Sequence, residues 1–166
     1  VAIIGATTED TPTIASPGPR TLFPRAEGVL TPLIARLRAE GVSHIVLLSH
    51  LGLSRDREVA AAVDGIDVIV GGHSHTLLSN TAQGAEGPYP VRVRGPSGRE
   101  VPIVQAMAFT RFVGRLDLDF DAAGNVTRAE GDTIPVVQSL APNPAIQAAI
   151  DRLDAPLVEV RARPVG

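Results

Sequence analysis

The sequence predicts an α/β fold in which parallel βαβ units are followed by antiparallel strands. Three observations lead to it. Short apolar runs at Val1–Thr7, Ser43–His50 and Asp67–Val70 read as buried strands, too apolar for exposed edges. Helical spacing fills the two intervals between them, and strand–helix–strand order implies right-handed crossovers in a parallel sheet. From Val91 the pattern turns to strands joined by short turns, as in antiparallel pairing.

Composition narrows the class further. The 166 residues suffice for one ordinary domain core, and 44% hydrophobic residues argue against disorder. Aromatics make up 3%, so the core must be Val, Ile, Leu and Ala. A net charge of −3 without a basic cluster gives no support for a nucleic-acid groove. No apolar run reaches the length of a membrane span. With no cysteine, disulfides and thiolate metal sites are excluded and the compartment stays open.

Each element has its own signal. Val1–Thr7 is a strand by apolar density. Thr8–Pro24 holds four prolines and reads as a loop, long enough at seventeen residues to suggest a functional one. Val29, Leu30, Leu33, Ile34 and Leu37 follow helical spacing. Thr31-Pro32 could start that helix, or it could start near Arg25 with Pro32 in an early turn. Gly41 stops it. Ser54 is the expected cap of a second helix reaching Val63. Asn80–Pro90 reads as a surface loop. Val91–Arg94 and Val101–Val104 flank a Gly95-Pro-Ser-Gly98 turn. In Phe112–Phe120, Leu116, Leu118 and Phe120 alternate with Arg115, Asp117 and Asp119, and Val126–Glu130 returns after a turn. Asn143-Pro144 opens a last helix with Ile146, Ile150 and Leu153 on one face. Leu157–Arg163 alternates like a new strand. A start inside a core-type strand and an end in another lead to the expectation of a piece of a longer chain.

The stretch Asp67-Val-Ile-Val-Gly-Gly-His-Ser-His75 organises the chemistry. Ligands in open α/β sheets gather beyond the carboxyl ends of the strands. His50 ends one strand, and His73 and His75 follow the next. Two apart in extended chain, His73 and His75 are expected to face one side, and strands about 4.8 Å apart would let all three rings converge. Neutral imidazole is a common ligand for first-row metals. In the competing reading, Gly-Gly-His-Ser-His is only a tight polar loop. His44 sits at the opposite end of its strand and is excluded, as are Asp64 and Asp67. Asp56 and Glu58 are expected on a solvated helix face, with Arg55 and Arg57 solvated as well. A two-metal site generally has a bridging carboxylate, and none here is well placed. There is no phosphate-cradling glycine motif. Ser49 and Ser74 lie beside histidines without forming a nucleophile elbow.

These residues resemble the 5′-nucleotidase family of calcineurin-like metallophosphoesterases. The matching stretches are Ile45-Val-Leu-Leu-Ser-His-Leu-Gly52, Gly65-Ile-Asp-Val-Ile-Val-Gly-Gly-His-Ser-His-Thr76, Gly87-Pro-Tyr-Pro90, Val104-Gln-Ala106 and Val113-Gly-Arg-Leu-Asp117. The resemblance implies a four-layer α/β/β/α sandwich, with residues 1–142 as the second half of its catalytic domain. It further implies a linker helix at 143–154 and the start of a C-terminal nucleotidase domain at 155–166. It implies two divalent ions, zinc, manganese or similar, with His50 and His73 on one and His75 on the other. The family's Asp-x-His, bridging Asp and Asn-His have no match in these residues, so no catalytic residue is assigned. The implied activity is metal-assisted hydrolysis of a phosphate ester, most simply a 5′-nucleotide, with 2′,3′-cyclic nucleotides or UDP-sugars as alternative substrates. A non-catalytic metal-binding or structural half-domain is the competing function. The family also implies a periplasmic or extracellular location. An open sheet where the first half would pack leads to the expectation that the piece alone self-associates.

Overall fold

The computed structural model describes residues 1–164. The elements are β1 (Ala2–Thr7), α1 (Thr11–Ile14), α2 (Ala26–Ala39), β2 (Ile45–His50), α3 (Leu53–Ala62), β3 (Val68–Val70), β4 (Val91–Arg94), β5 (Glu100–Val104), β6 (Phe112–Phe120), β7 (Val126–Pro135) and α4 (Pro144–Arg161). The chain divides into two units, residues 1–135 and 136–166.

In the first unit a five-stranded sheet has the order β1-β2-β3-β5-β4. β1, β2, β3 and β5 run parallel, and β4 returns antiparallel to β5. β6 and β7 form a separate antiparallel ribbon. Parallel units followed by antiparallel strands are thus what the sequence periodicity implied. The core lies between the sheet and the two longer helices: Leu30 and Ile34 of α2 and Val59 and Ala60 of α3 join Ile45, Leu47, Ile69 and Ile103. The alternate residues of the same strands face the other way. Ile3 is 70% exposed, Leu48 56%, and Val70 is exposed as well.

The amino ends of β2 and β3 are tied by charge. The Arg38 guanidinium donates to the carbonyls of Val42, Ser43 and Gly65 and to Asp67 Oδ2 at 2.7 Å. The same carboxylate oxygen accepts from the Ile45 amide at 2.7 Å. Asp67 is buried, and an unpaired charge there would cost several kcal/mol, about 3–5. Its structural role agrees with its exclusion as a ligand. His44 packs its ring on Phe120, with centroids 4.0 Å apart, also away from the carboxyl edge.

Several boundaries differ from the sequence reading. Thr11–Ile14 forms one helical turn inside the long loop, closed by Asp10 and Thr11 carbonyls. α2 begins at Ala26, the earlier of the two starts, because the Glu9 carboxylate accepts from the Ala26 amide at 2.8 Å and Pro32 is accommodated inside. α3 is capped by Gly52 rather than Ser54, since the Gly52 carbonyl already accepts from Asp56. β7 runs on to Pro135. Asp132 on β7 holds the loop that follows His75: it accepts from the Ser79 hydroxyl, the Asn80 amide and the Thr81 hydroxyl. Burial would raise this carboxyl, but those donors outweigh it and hold it down at about 2.

In the second unit Asn143 caps α4 by accepting from the Ala145 and Ile146 amides. The helix continues through Arg161, so the strand expected at Leu157–Arg163 is overturned. Pro156 does not break the helix, and the alternation of Val158 and Val160 also fits an exposed helix surface. Residues 165 and 166 of the segment assigned to a following domain lie outside the described residues.

Candidate metal centre

The geometry begins with strand register. Leu48 pairs with Val70, so the next residues out, Ser49-His50 at the end of β2 and Gly71-Gly72 beyond β3, run side by side. Gly72 is needed for close approach: a Cβ there would lie 3.2 Å from His50 Nδ1 and 3.4 Å from the Ser49 carbonyl. Gly71 is tighter still, its Cβ position falling 2.5 Å from Asp56 Oδ2. The two glycines let the chain pass between the end of β2 and the buried side chains beneath it.

His50 and His73 meet edge to face, with ring centroids 5.0 Å apart. Two imidazoles on one tetrahedral zinc, with Zn–N bonds of about 2.0–2.1 Å, have centroids roughly 5 Å apart, the separation found here. His50 is exposed and His73 half-buried, which leaves the site open for further ligands. His75 does not join them in a common cluster. Its ring packs edge-on against Phe109 at 5.3 Å. The extended-chain assumption fails here: His73 has φ +70° and His75 φ +56°, both left-handed. The turn redirects the third ring, and the expected meeting of all three is corrected to a pair and a neighbour. Met107, Phe109 and Thr110 beside it are left-handed too. Among the described residues, no group of three or more His, Asp or Glu stands together in a way that could hold a metal.

Two polar residues beneath the loop escaped the sequence reading. Asp56, expected on a solvated face, is fully buried. The Ser49 hydroxyl donates to its Oδ1, while Oδ2 is buried without a hydrogen-bond partner. Asp56 lies three and four residues before Val59 and Ala60, so it shares the face of α3 that packs inward. Gln105, directly after β5, is 2% exposed and contacts the histidine loop at three points. A polar residue ending an apolar strand, within the Val104-Gln-Ala106 match, was the available signal. Arg55 is ion-paired rather than solvated, bonding Glu9, Glu27 and Glu58 and joining the starts of α2 and α3. Arg57 and Glu58 are exposed as expected.

An open α/β sheet with paired imidazoles at its carboxyl edge places the molecule among the α/β folds, whose ligand sites characteristically lie beyond the strand ends. No family model matches the chain. It is 36% identical over 170 residues to the snake venom 5′-nucleotidase of Naja atra, covering all of this chain and 32% of that protein. The crystal structure of a 5′-nucleotidase precursor from Thermus thermophilus superposes with a TM-score of 0.89 at 37% identity, over 97% of this chain and 32% of that one. A calcineurin-like phosphoesterase from Bacillus subtilis shares the fold with a TM-score of 0.74 at 19% identity, over 97% of this chain and 52% of that one. The chain belongs to the 5′-nucleotidase family, and it spans about a third of the length of the curated relatives it matches.

Asp56 gives a pH signature. Burial pushes its carboxyl up to about 6, against the Ser49 hydroxyl and the Arg55 charge, which pull it down. The folded state therefore holds this proton more tightly than the unfolded chain, where the group titrates near 3.8. The resulting stability is complete below that value, fades as pH rises towards 6 and is gone above it. Urea unfolding of the wild type and Asp56→Asn across this range should give a stability difference that falls by about 3 kcal/mol with rising pH, then levels. A difference independent of pH would contradict the assignment.

Proposed function

We propose that this chain supplies part of a dinuclear metal site for hydrolysis of phosphate esters, with 5′-nucleotides as the substrate class. The observation that carries the proposal is the His50–His73 pair at a separation suited to one ion. His50 and His73 would hold that ion, and His75 would serve a second. When bound, such ions activate water and stabilise charge on the transferring phosphoryl group. The chain's own residues orient the rings and leave the carboxyl edge of the sheet open to substrate. None of them is placed to move a proton, so no general acid or base is assigned. A bridging carboxylate and the remaining ligands would come from outside these 166 residues. Zinc or manganese suits an imidazole-and-carboxylate site. Residues 1–142 would form half of the catalytic domain, and the helix Pro144–Arg161, longer than the expected 143–154, would connect it to a further domain. A periplasmic or extracellular location is supported by the venom source of a relative.

A non-catalytic half-domain is the second reading, favoured by the lack of a third ligand beside the pair among the described residues. Phosphate release from AMP with zinc or manganese separates the two. The full-length polypeptide should turn over, and His73→Ala should lower its rate roughly 100-fold or more. The 166-residue polypeptide alone should release little or none. Full activity in His73→Ala, or turnover by the 166 residues alone that this variant abolishes, would overturn this division of labour.

The uncovered face bearing Ile3, Leu48 and Val70 supports a further expectation. Expressed alone, the 166 residues should sediment as dimers or larger species. A monodisperse monomer with cooperative thermal unfolding would contradict it.

A further inference from the structure

We propose that Gln105 is a positioning residue for His73, holding the histidine loop in the strained turn that aims this ring. The inference rests on the metal-site reading above and adds a residue to it.

The loop turns abruptly. The Ser74 amide donates to the Gly72 carbonyl at 2.9 Å, a three-residue γ-turn with His73 at its centre. With φ at +70°, His73 adopts the rare, strained form of that turn. A non-glycine residue held there costs of order 1–3 kcal/mol and persists only where the surroundings over-determine it.

Gln105 is what over-determines it. Its Nε2 donates to the Gly72 carbonyl at 3.2 Å. Its Oε1 accepts from the Thr76 amide at 2.6 Å and from the Ser74 hydroxyl at 3.1 Å. One planar amide thus spans the loop from the residue before His73 to the residue after His75. Its own backbone is fixed as well: the Gln105 carbonyl accepts from Leu78, and the Val104 carbonyl accepts from Gly71. The Ser74 hydroxyl also accepts from the Leu53 amide, joining the loop to the start of α3.

The chemistry asks for an amide at this position. Gly72 offers an acceptor and Thr76 a donor, so the side chain must both donate and accept. Glutamate has the same shape and would keep the Thr76 bond. Its second oxygen would face the Gly72 carbonyl with no proton to share, whenever the carboxylate is ionised. Leucine would lose all three bonds and leave the buried Thr76 amide unpaired.

The test uses the full-length polypeptide carrying Gln105→Glu, with His73→Ala as a parallel arm. Amide hydrogen exchange is read on the metal-free protein, and zinc affinity is measured by competition with a chromophoric chelator. In Gln105→Glu, exchange at Ser74, whose amide closes the turn on Gly72, should accelerate about tenfold or more while Leu47 and Ile69 keep their protection. Zinc should bind about 10–100-fold more weakly. Loop and strand amides accelerating together would make Gln105 a general fold brace and overturn the proposal. A loosened loop with unchanged zinc affinity would overturn it too. Unchanged zinc affinity in His73→Ala would instead remove the metal reading itself, and the two failures are therefore distinguishable.

Discussion

The parallel register of β2 and β3 is the constraint on which the rest depends. Leu48 lies against Val70, so His50 at the end of β2 and Gly72 beyond the end of β3 stand at the same height. A one-residue slip would turn every side chain of β3 to the opposite face, and in one of the two directions it would set His73 in place of Gly72 against His50. The register is held from the core by Leu47 and Ile69, both fully buried, and from the amino end by Arg38 and Asp67. Hydrophobic packing and one buried ion pair thus set the geometry of a site that neither of them touches.

The two ends of the sheet are built differently. At the amino end the charges are paired, Arg38 satisfying three carbonyls and a carboxylate, and the cost there, among the described residues, is a single buried nitrogen, His44 Nδ1, without a partner. At the carboxyl end the structure tolerates cost. His73 and His75 occupy left-handed conformations, Asp56 leaves one buried oxygen without a partner, and Gly71 passes so close to Asp56 that no side chain fits. Concentrated strain and imperfect satisfaction are characteristic of sites where geometry serves binding rather than stability. Fold-level stability from the buried aliphatic core offsets it.

The sheet was legible in the sequence because its strands are short apolar runs and its helices have clear spacing. The end of β2 at His50 and the glycines at 71 and 72 were equally plain. What could not be read was backbone direction after Gly72. Nothing in Gly-Gly-His-Ser-His announces that both histidines take positive φ, and with extended geometry assumed, His75 was expected on the same side as His73. Asp56 was misplaced by its charge: its spacing to Val59 and Ala60 puts it on the inward face, where the Ser49 hydroxyl meets it, a partner that no local pattern records. Leu157–Arg163 misled because alternation over seven residues fits an exposed helix as well as a strand, and local pattern cannot separate them. Gln105 stood in a recognised match, yet its role depends on three partners about 30 residues away in sequence, which no local pattern records.

The central claim is that His50 and His73 act as one unit on a single ion. A double-mutant cycle on zinc affinity in the full-length polypeptide tests it most directly, using His50→Ala, His73→Ala and the double variant. Ligands of one ion are strongly coupled, so the double variant should lose little more affinity than the worse single variant. Losses that simply add would mean that the two rings serve separate sites, and the shared-ion account would be contradicted.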